Sequence, residues 1–351
     1  MKKQIAFSLV LVMMLGLLAG CAGTAVVYCG ECTCPTGGNT PAPTDPVNPP
    51  AEGAVKTGLS VITNVSKSAN ATCAEYDVTL VAVTVDDKGV IEQCIIDSIG
   101  TKVEFDGTGA LTKVPETIAT KNELGDSYGM VAGGGAKYEW YQQAAALADY
   151  AEGKTLAQLK SGAISESGYA AEGTDLAASA TIYLGGYVSA IEVAVNNAKH
   201  LGAVAGDELR LAAIPSAASS VGATVSKAGT AQLDVDVTAL TVKDGIITSC
   251  YIDSVQAKVT FDANGEISSD ISAPIQTKNE LGELYGMQAW GGAKYEWNVQ
   301  AANFAAYVTG KTAAEVAGIA VSEGKPSDAD LSAGVTIAIG GFQALIAKAM
   351  K

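Results

Sequence analysis

The sequence predicts an α+β protein: two tandem copies of an antiparallel sheet packed with helices, placed after a signal peptide and a flexible linker. Three observations predict it. The chain repeats itself at a nearly constant offset, each copy opens on alternating β-branched residues broken by turn dipeptides, and each copy closes on amphipathic helical patterns.

The first element precedes the fold. Lys2 and Lys3 form a basic start, an apolar run follows from Ile5 to Leu18, and Leu18-Ala19-Gly20-Cys21 supplies small residues at a cleavage point. The apolar run is too short for a spanning helix, so it reads as a signal peptide over residues 1–20. Leu-Ala-Gly-Cys resembles the lipobox of bacterial lipoproteins. The resemblance implies a lipid on Cys21 and a mature chain anchored at the extracytoplasmic face of the bacterial cell membrane.

Residues 21–56 are rich in Pro, Gly and Thr and read as a semi-extended tether. Within it stand Cys29, Cys32 and Cys34, a spacing suited to a local disulfide, a soft metal or thiol exchange. The remaining cysteines, Cys73, Cys94 and Cys250, form no disulfide framework.

The repeat is clearest in two places. Cys94-Ile-Ile-Asp97 returns as Cys250-Tyr-Ile-Asp253, an offset of 250 − 94 = 156. Thr120-Lys-Asn-Glu-Leu-Gly125 returns as Thr277-Lys-Asn-Glu-Leu-Gly282, an offset of 277 − 120 = 157. Such constancy predicts two copies of one domain, residues 57–202 and 209–351, joined by a linker over 203–208.

Within copy one, the alternation at Val78–Val85 and Val90–Ile99 around Asp86-Asp87-Lys88-Gly89 predicts a hairpin, echoed in copy two around Lys243-Asp244-Gly245. Spacings of three and four predict helices over Ala136–Glu152 and Ala293–Thr309, each stopped by a glycine. A last helix follows in each copy, over Tyr187–Lys199 and Phe342–Lys348.

Composition excludes several functions. The formal charge of −15 repels nucleic acid and other polyanions. A single histidine, His200, leaves no catalytic triad or multi-histidine metal site in each copy. Gly-x-Ser-x-Gly is absent, so hydrolase chemistry has little support. Asp97 and Asp253, alone on their strands, are weak candidates for acid–base work.

Each copy closes on an Asp followed six residues later by a Thr: Asp175-Leu-Ala-Ala-Ser179-Ala-Thr181 and Asp330-Leu-Ser-Ala-Gly334-Val-Thr336. With Gly153-Lys154-Thr155 and Gly310-Lys311-Thr312 upstream, this resembles the bacterial FMN-binding domain, which closes on Asp-x-x-Ser-Gly-Ala-Thr before a helix. Copy one lacks the Gly of that motif, and copy two has Val335 in place of its Ala. The resemblance implies FMN held at Thr181 and Thr336, in that family through a phosphoester on the hydroxyl, and electron exchange with membrane redox proteins. Ser179, Gly334, Asp175 and Asp330 match the rest of the motif. A glycine there allows backbone to approach a phosphate, and nearby helix N-terminal amides favour an anion.

The segment best preserved between copies is rich in glycine and aromatics, the composition of a ligand wall. In copy one Lys121, Asn122 and Lys137 are candidates to meet a phosphate or a flavin carbonyl, with Tyr128 and Trp140 flanking a ring. Lys278, Asn279, Lys294, Tyr285 and Trp297 are their counterparts. The same aromatics suit packing between sheet and helix equally well. A second functional class stands beside the flavin reading: a cofactor-free envelope protein binding a small molecule or a surface partner.

Overall fold

A computed structural model describes residues 52–162 and 164–351. The expected signal peptide, Cys21, the three-cysteine cluster and nearly all of the expected tether lie outside the described residues. The architecture is α+β.

Repeat one forms an antiparallel sheet in the order β1 (Lys56–Asn64), β2 (Cys73–Val85), β3 (Ile91–Phe105) and β4 (Leu111–Lys113). Its helices follow: α1 (Lys121–Leu124), α2 (Met130–Gly134), α3 (Trp140–Ala151), α4 (Leu156–Lys160), α5 (Asp175–Ser179) and α6 (Gly185–Asn196). Repeat two has β5 (Glu208–Ser216), β6 (Gly229–Lys243) and β7 (Ile246–Phe261) in an antiparallel sheet. After it come α7 (Lys278–Leu281), α8 (Trp297–Val308) and α9 (Ala313–Ala317). A small hairpin of β8 (Val321–Ser322) and β9 (Lys325–Pro326) then leads to α10 (Ala329–Gly334) and α11 (Gly340–Ala349). None of the described helices is long and apolar enough to cross a membrane.

The hairpins obey their turns. Asp86 Oδ1 accepts from the Lys88 and Val90 amides, both at 2.8 Å, and Gly89 takes a positive φ. Asp244 and Gly245 both have positive φ, as a two-residue hairpin turn matched to strand twist requires. The strands run longer than the alternation predicts, because both faces are covered. Tyr76, Val78, Leu80 and Ala82 of β2 face one apolar cluster, while Val81, Val83 and Val85 face another.

The first of these clusters is shared. It takes residues from β1, β2 and β3 and from β5, β6 and β7, with Phe105 and Phe261, at the ends of β3 and β7, stacked with ring centroids 4.0 Å apart. The other two are private: α3 and α6 cover the outer face of sheet one, and α8 and α11 cover that of sheet two. The layers are helices, sheet, sheet, helices. Each repeat therefore has a cluster of its own and contributes half of a third.

Side chains at the sheet edges meet across the repeats. Thr57 Oγ1 of β1 meets Ser249 Oγ of β7 at 2.6 Å. On the other side Gln93 of β3 donates to Asp207 O at 2.7 Å and accepts from Leu209 N at 2.9 Å.

Several boundaries differ from the sequence expectation for local reasons. The helices expected from Ala136 and Ala293 begin at Trp140 and Trp297, because Glu139 and Glu296 sit at the N-cap with extended backbone. The last helices begin at Gly185 and Gly340 rather than at Tyr187 and Phe342, and the first of them ends at Asn196. Strands β1 and β5, the short helices and the β8–β9 hairpin carry too few periodic residues to announce themselves.

Candidate functional site

In repeat one the Thr120-Lys-Asn-Glu segment forms a capping box: Thr120 Oγ1 accepts from Glu123 N at 3.2 Å, and Glu123 Oε2 accepts from Thr120 N at 3.0 Å. The turn is pinned to β3. Asn122 N donates to Asp97 Oδ1 at 3.1 Å and Asn122 Nδ2 to Ile96 O at 3.0 Å. Repeat two does the same, with Asn279 donating to Asp253 Oδ1 at 3.1 Å and to Ile252 O at 2.9 Å. The two asparagine amides anchor a turn, which is a different task from meeting a flavin carbonyl.

Asp97 and Asp253 are thus buried acceptors at the root of the turn. Burial pushes the Asp97 carboxyl above its ordinary range and holds that of Asp253 up at about 6, against the amides that favour its charged form.

Lys121 Nζ lies 5.0 Å from the Tyr128 ring centre and 4.9 Å from that of Trp140; Lys278 Nζ lies 5.3 Å from Tyr285 and 4.8 Å from Trp297. These are cation–π contacts within each repeat, reaching the surface at the exposed Tyr128. Trp140 and Trp297 are buried, the first donating Nε1 to Tyr187 OH at 3.0 Å and the second packed edge-on against Phe342. The two tryptophans join helices to the outer sheet faces, so the packing reading of the aromatics describes them. Desolvation lowers the Lys278 pKa even though Asp236, Asp234 and Asp253 stand near it.

The Gly-rich loop owes its shape to a carboxylate. Glu139 is buried and accepts from Met130 N at 2.8 Å and Val131 N at 2.9 Å; Glu296 accepts from Met287 N at 2.8 Å and Gln288 N at 3.0 Å.

The closing Thr turns are organised by residues the motif reading missed. Gln143, fully buried on α3, accepts from Thr181 N at 2.8 Å, Thr181 Oγ1 at 3.2 Å and Ile182 N at 3.2 Å. Gln300 on α8 holds Thr336 N at 2.7 Å and Thr336 Oγ1 at 3.1 Å. Their recurrence three residues after each Trp was the available signal. Lys137 and Lys294 come to the same turns, donating to Ala178 O at 3.4 Å and Ala333 O at 3.1 Å.

Asp175 and Asp330 stand in the first turns of α5 and α10, where a carboxylate complements the helix dipole. Ser179 returns its hydroxyl to Asp175 O and Leu176 O, both at 3.2 Å. Gly334 serves a neighbour rather than an open approach: a Cβ there would lie 2.8 Å from Asn303 Nδ2, which donates to Gly334 O at 3.0 Å.

The two Thr turns are unequal. Thr181 is exposed, and two residues later the exposed Tyr183 meets Tyr169 edge-on with ring centres 5.7 Å apart. Helix α6 begins just beyond, at Gly185-Gly186, without a side-chain cap, as does α11, and Gly168 O accepts from the Leu184 and Gly185 amides at 2.8 and 3.0 Å. Thr336 is half-buried, Ala338 stands two residues after it, and a Cβ on Gly341 at the start of α11 would lie 3.5 Å from the Asp236 carboxylate. An anion is better received at the first turn.

The chain matches no family model, no curated protein and no solved structure.

Proposed function

We propose that the protein is a lipid-anchored lipoprotein of the extracytoplasmic membrane face, whose first repeat binds FMN noncovalently and exchanges electrons with membrane redox proteins. One observation carries the reading. A single turn of repeat one combines the exposed Thr181 hydroxyl, the Lys137 ammonium, a helix start at Gly185-Gly186 without a side-chain cap and an exposed tyrosine pair.

Those groups fit the two ends of FMN. Lys137, Thr181 and the α6 amides that follow Gly185, whose own amide is spent on Gly168 O, have the chemistry to hold a phosphate, and Tyr169 and Tyr183 to flank an aromatic ring. Bound FMN supplies the redox chemistry. The chain's own part is position: Gln143 fixes Thr181, and the Asp236 carboxylate disfavours the same ligand in repeat two. The lipobox-like segment ending at Cys21 supports the location.

Titration of the full chain with FMN, read by flavin fluorescence, tests this. Binding is expected to survive Thr336→Ala and to weaken at least about tenfold in Lys137→Ala and Thr181→Ala, the scale of one charge-assisted contact. No binding by the folded wild type, or equal loss in both Thr variants, ends the reading. Release of Cys21→Ala and wild type in equal amounts from cells ends the anchoring claim.

A further inference from the structure

A cavity of about 780 Å³ lies at one junction between the repeats, between the end of α6 with the residues following it and the β7–α8 face of repeat two. It is separate from the Thr181 turn, and its volume is that of small-molecule sites. The opposite junction is different: there Lys348 of α11 pairs with Glu123 at 2.5 Å, whereas Glu280, the equivalent of Glu123 by the offset 280 − 123 = 157, lines the cavity.

The chemistry of the wall is specific to repeat two. On α8, Asn298, Asn303, Ala306 and Thr309 line the cavity. The offset of 157 places Tyr141, Ala146, Asp149 and Glu152 at those positions in repeat one. Repeat two has thus two carboxamides and a hydroxyl where repeat one has a phenol, a methyl and two carboxylates. On β7, Tyr251 replaces Ile95 (251 − 95 = 156).

Repeat one contributes Asn196 and Asn197, and Asn279 brings the carboxamides to five. Much of their hydrogen-bonding capacity is free. Asn303 and Asn279 spend their Nδ2 on Gly334 O and Ile252 O, Asn197 spends its Nδ2 on Leu59 O, and Asn298 Oδ1 is buried without a partner. Ala302, Ala305 and Val299 add apolar surface beside the amides.

We infer that this cavity binds a neutral, polyhydroxylated ligand of mono- to disaccharide size. Carboxamides both donate and accept, as vicinal hydroxyls require, and small apolar side chains accept the C–H face of a sugar ring. The charged residues of the wall are engaged within the protein, Lys199 over the Tyr251 ring, His200 on Asp87, Asp253 on the Asn279 amide and Glu280 on the Thr277 amide, so with two carboxylates exchanged for neutral groups the wall fits an uncharged ligand better than an ionic one.

Calorimetric titration of the full chain with maltose, cellobiose and N,N′-diacetylchitobiose, each up to ~10 mM where weak binding still registers, tests the proposal. Binding of any one supports it. Preference for the N-acetylated sugar identifies a cell-wall glycan as the source, and preference for the others a free sugar. Asn298→Tyr and Asn303→Ala restore the repeat-one residues, so both are expected to fold with little change in Tm while affinity falls at least about tenfold each, as loss of a hydrogen-bonding group in a binding site predicts. Silence of the folded wild type toward all three sugars overturns the proposal. So does undiminished binding in both variants.

Discussion

Repeat one and repeat two share a fold and differ in what they leave exposed. The first presents a hydroxyl, an ammonium and two tyrosines at its closing turn, whereas the second buries the equivalent Thr336 deeper and gathers carboxamides at a junction. The parts that stayed alike are the parts that hold the architecture: the Asp97/Asp253 anchor, the Glu139/Glu296 loop clasp and the Gln143/Gln300 brace. The difference teaches that sequence identity between the copies marks buried polar scaffolding, and that the divergent positions are where function is to be sought.

The largest effect should come from the shared core. Phe105→Ala or Phe261→Ala removes half of the stack between the sheets and should cost about 3–5 kcal/mol. Urea unfolding followed by tryptophans of both repeats should show one coincident transition shifted in both variants. Two separate transitions would break the picture of mutually dependent repeats.

Next comes a titration. The Asp253 carboxyl, held up at about 6 against an ordinary 3.8, favours the folded state most when protonated. That stability is therefore complete below about pH 4 and is lost as pH rises through 6, on the order of 3 kcal/mol in all. Asp253→Asn should flatten the stability profile between those limits, measured as the denaturant midpoint against pH. Asp97→Asn should remove a slope of the same sign, since its carboxyl is raised for the same reason.

Gln143→Ala and Gln300→Ala should each cost about 2 kcal/mol, because each removes a fully buried carboxamide that holds a Thr turn. Near-equal losses are the expected result, and a strongly unequal pair would show that the brace is not common to both repeats.

The smallest effect separates the turns. Gly334→Ser crowds Asn303 and should cost about 1 kcal/mol, an amount typical of a strained small-to-large change. Asn303→Ala should restore it, because repeat one already pairs Ser179 with Ala146 at these positions. Ser179→Gly should be close to neutral in the same thermal melts.

Much of the fold was legible because periodicity and turn chemistry agree. The repeat, the Asp-Gly hairpins and the helices ending two residues before Gly153 and Gly310 follow from spacing alone. The shared cluster was not legible. Strands such as Val78–Val85 show apolar residues on both faces, and a single sequence does not say whether the second face meets helices or another sheet. At the Thr turns, the candidates Lys137 and Thr181 converge, but Asn122, Trp140 and their counterparts serve the scaffold. Gln143 and Tyr183 went unread because their roles depend on contacts with residues distant in the chain.

The stacking of Phe105 on Phe261 has a consequence for concentration. Joined through residues 203–208, the two sheets face each other at an effective concentration set by chain length rather than by how much protein is present. Dilution does not part them, and neither half has to match itself as the halves of a symmetric dimer must. One junction is therefore free to close on an ion pair while the other stays hollow.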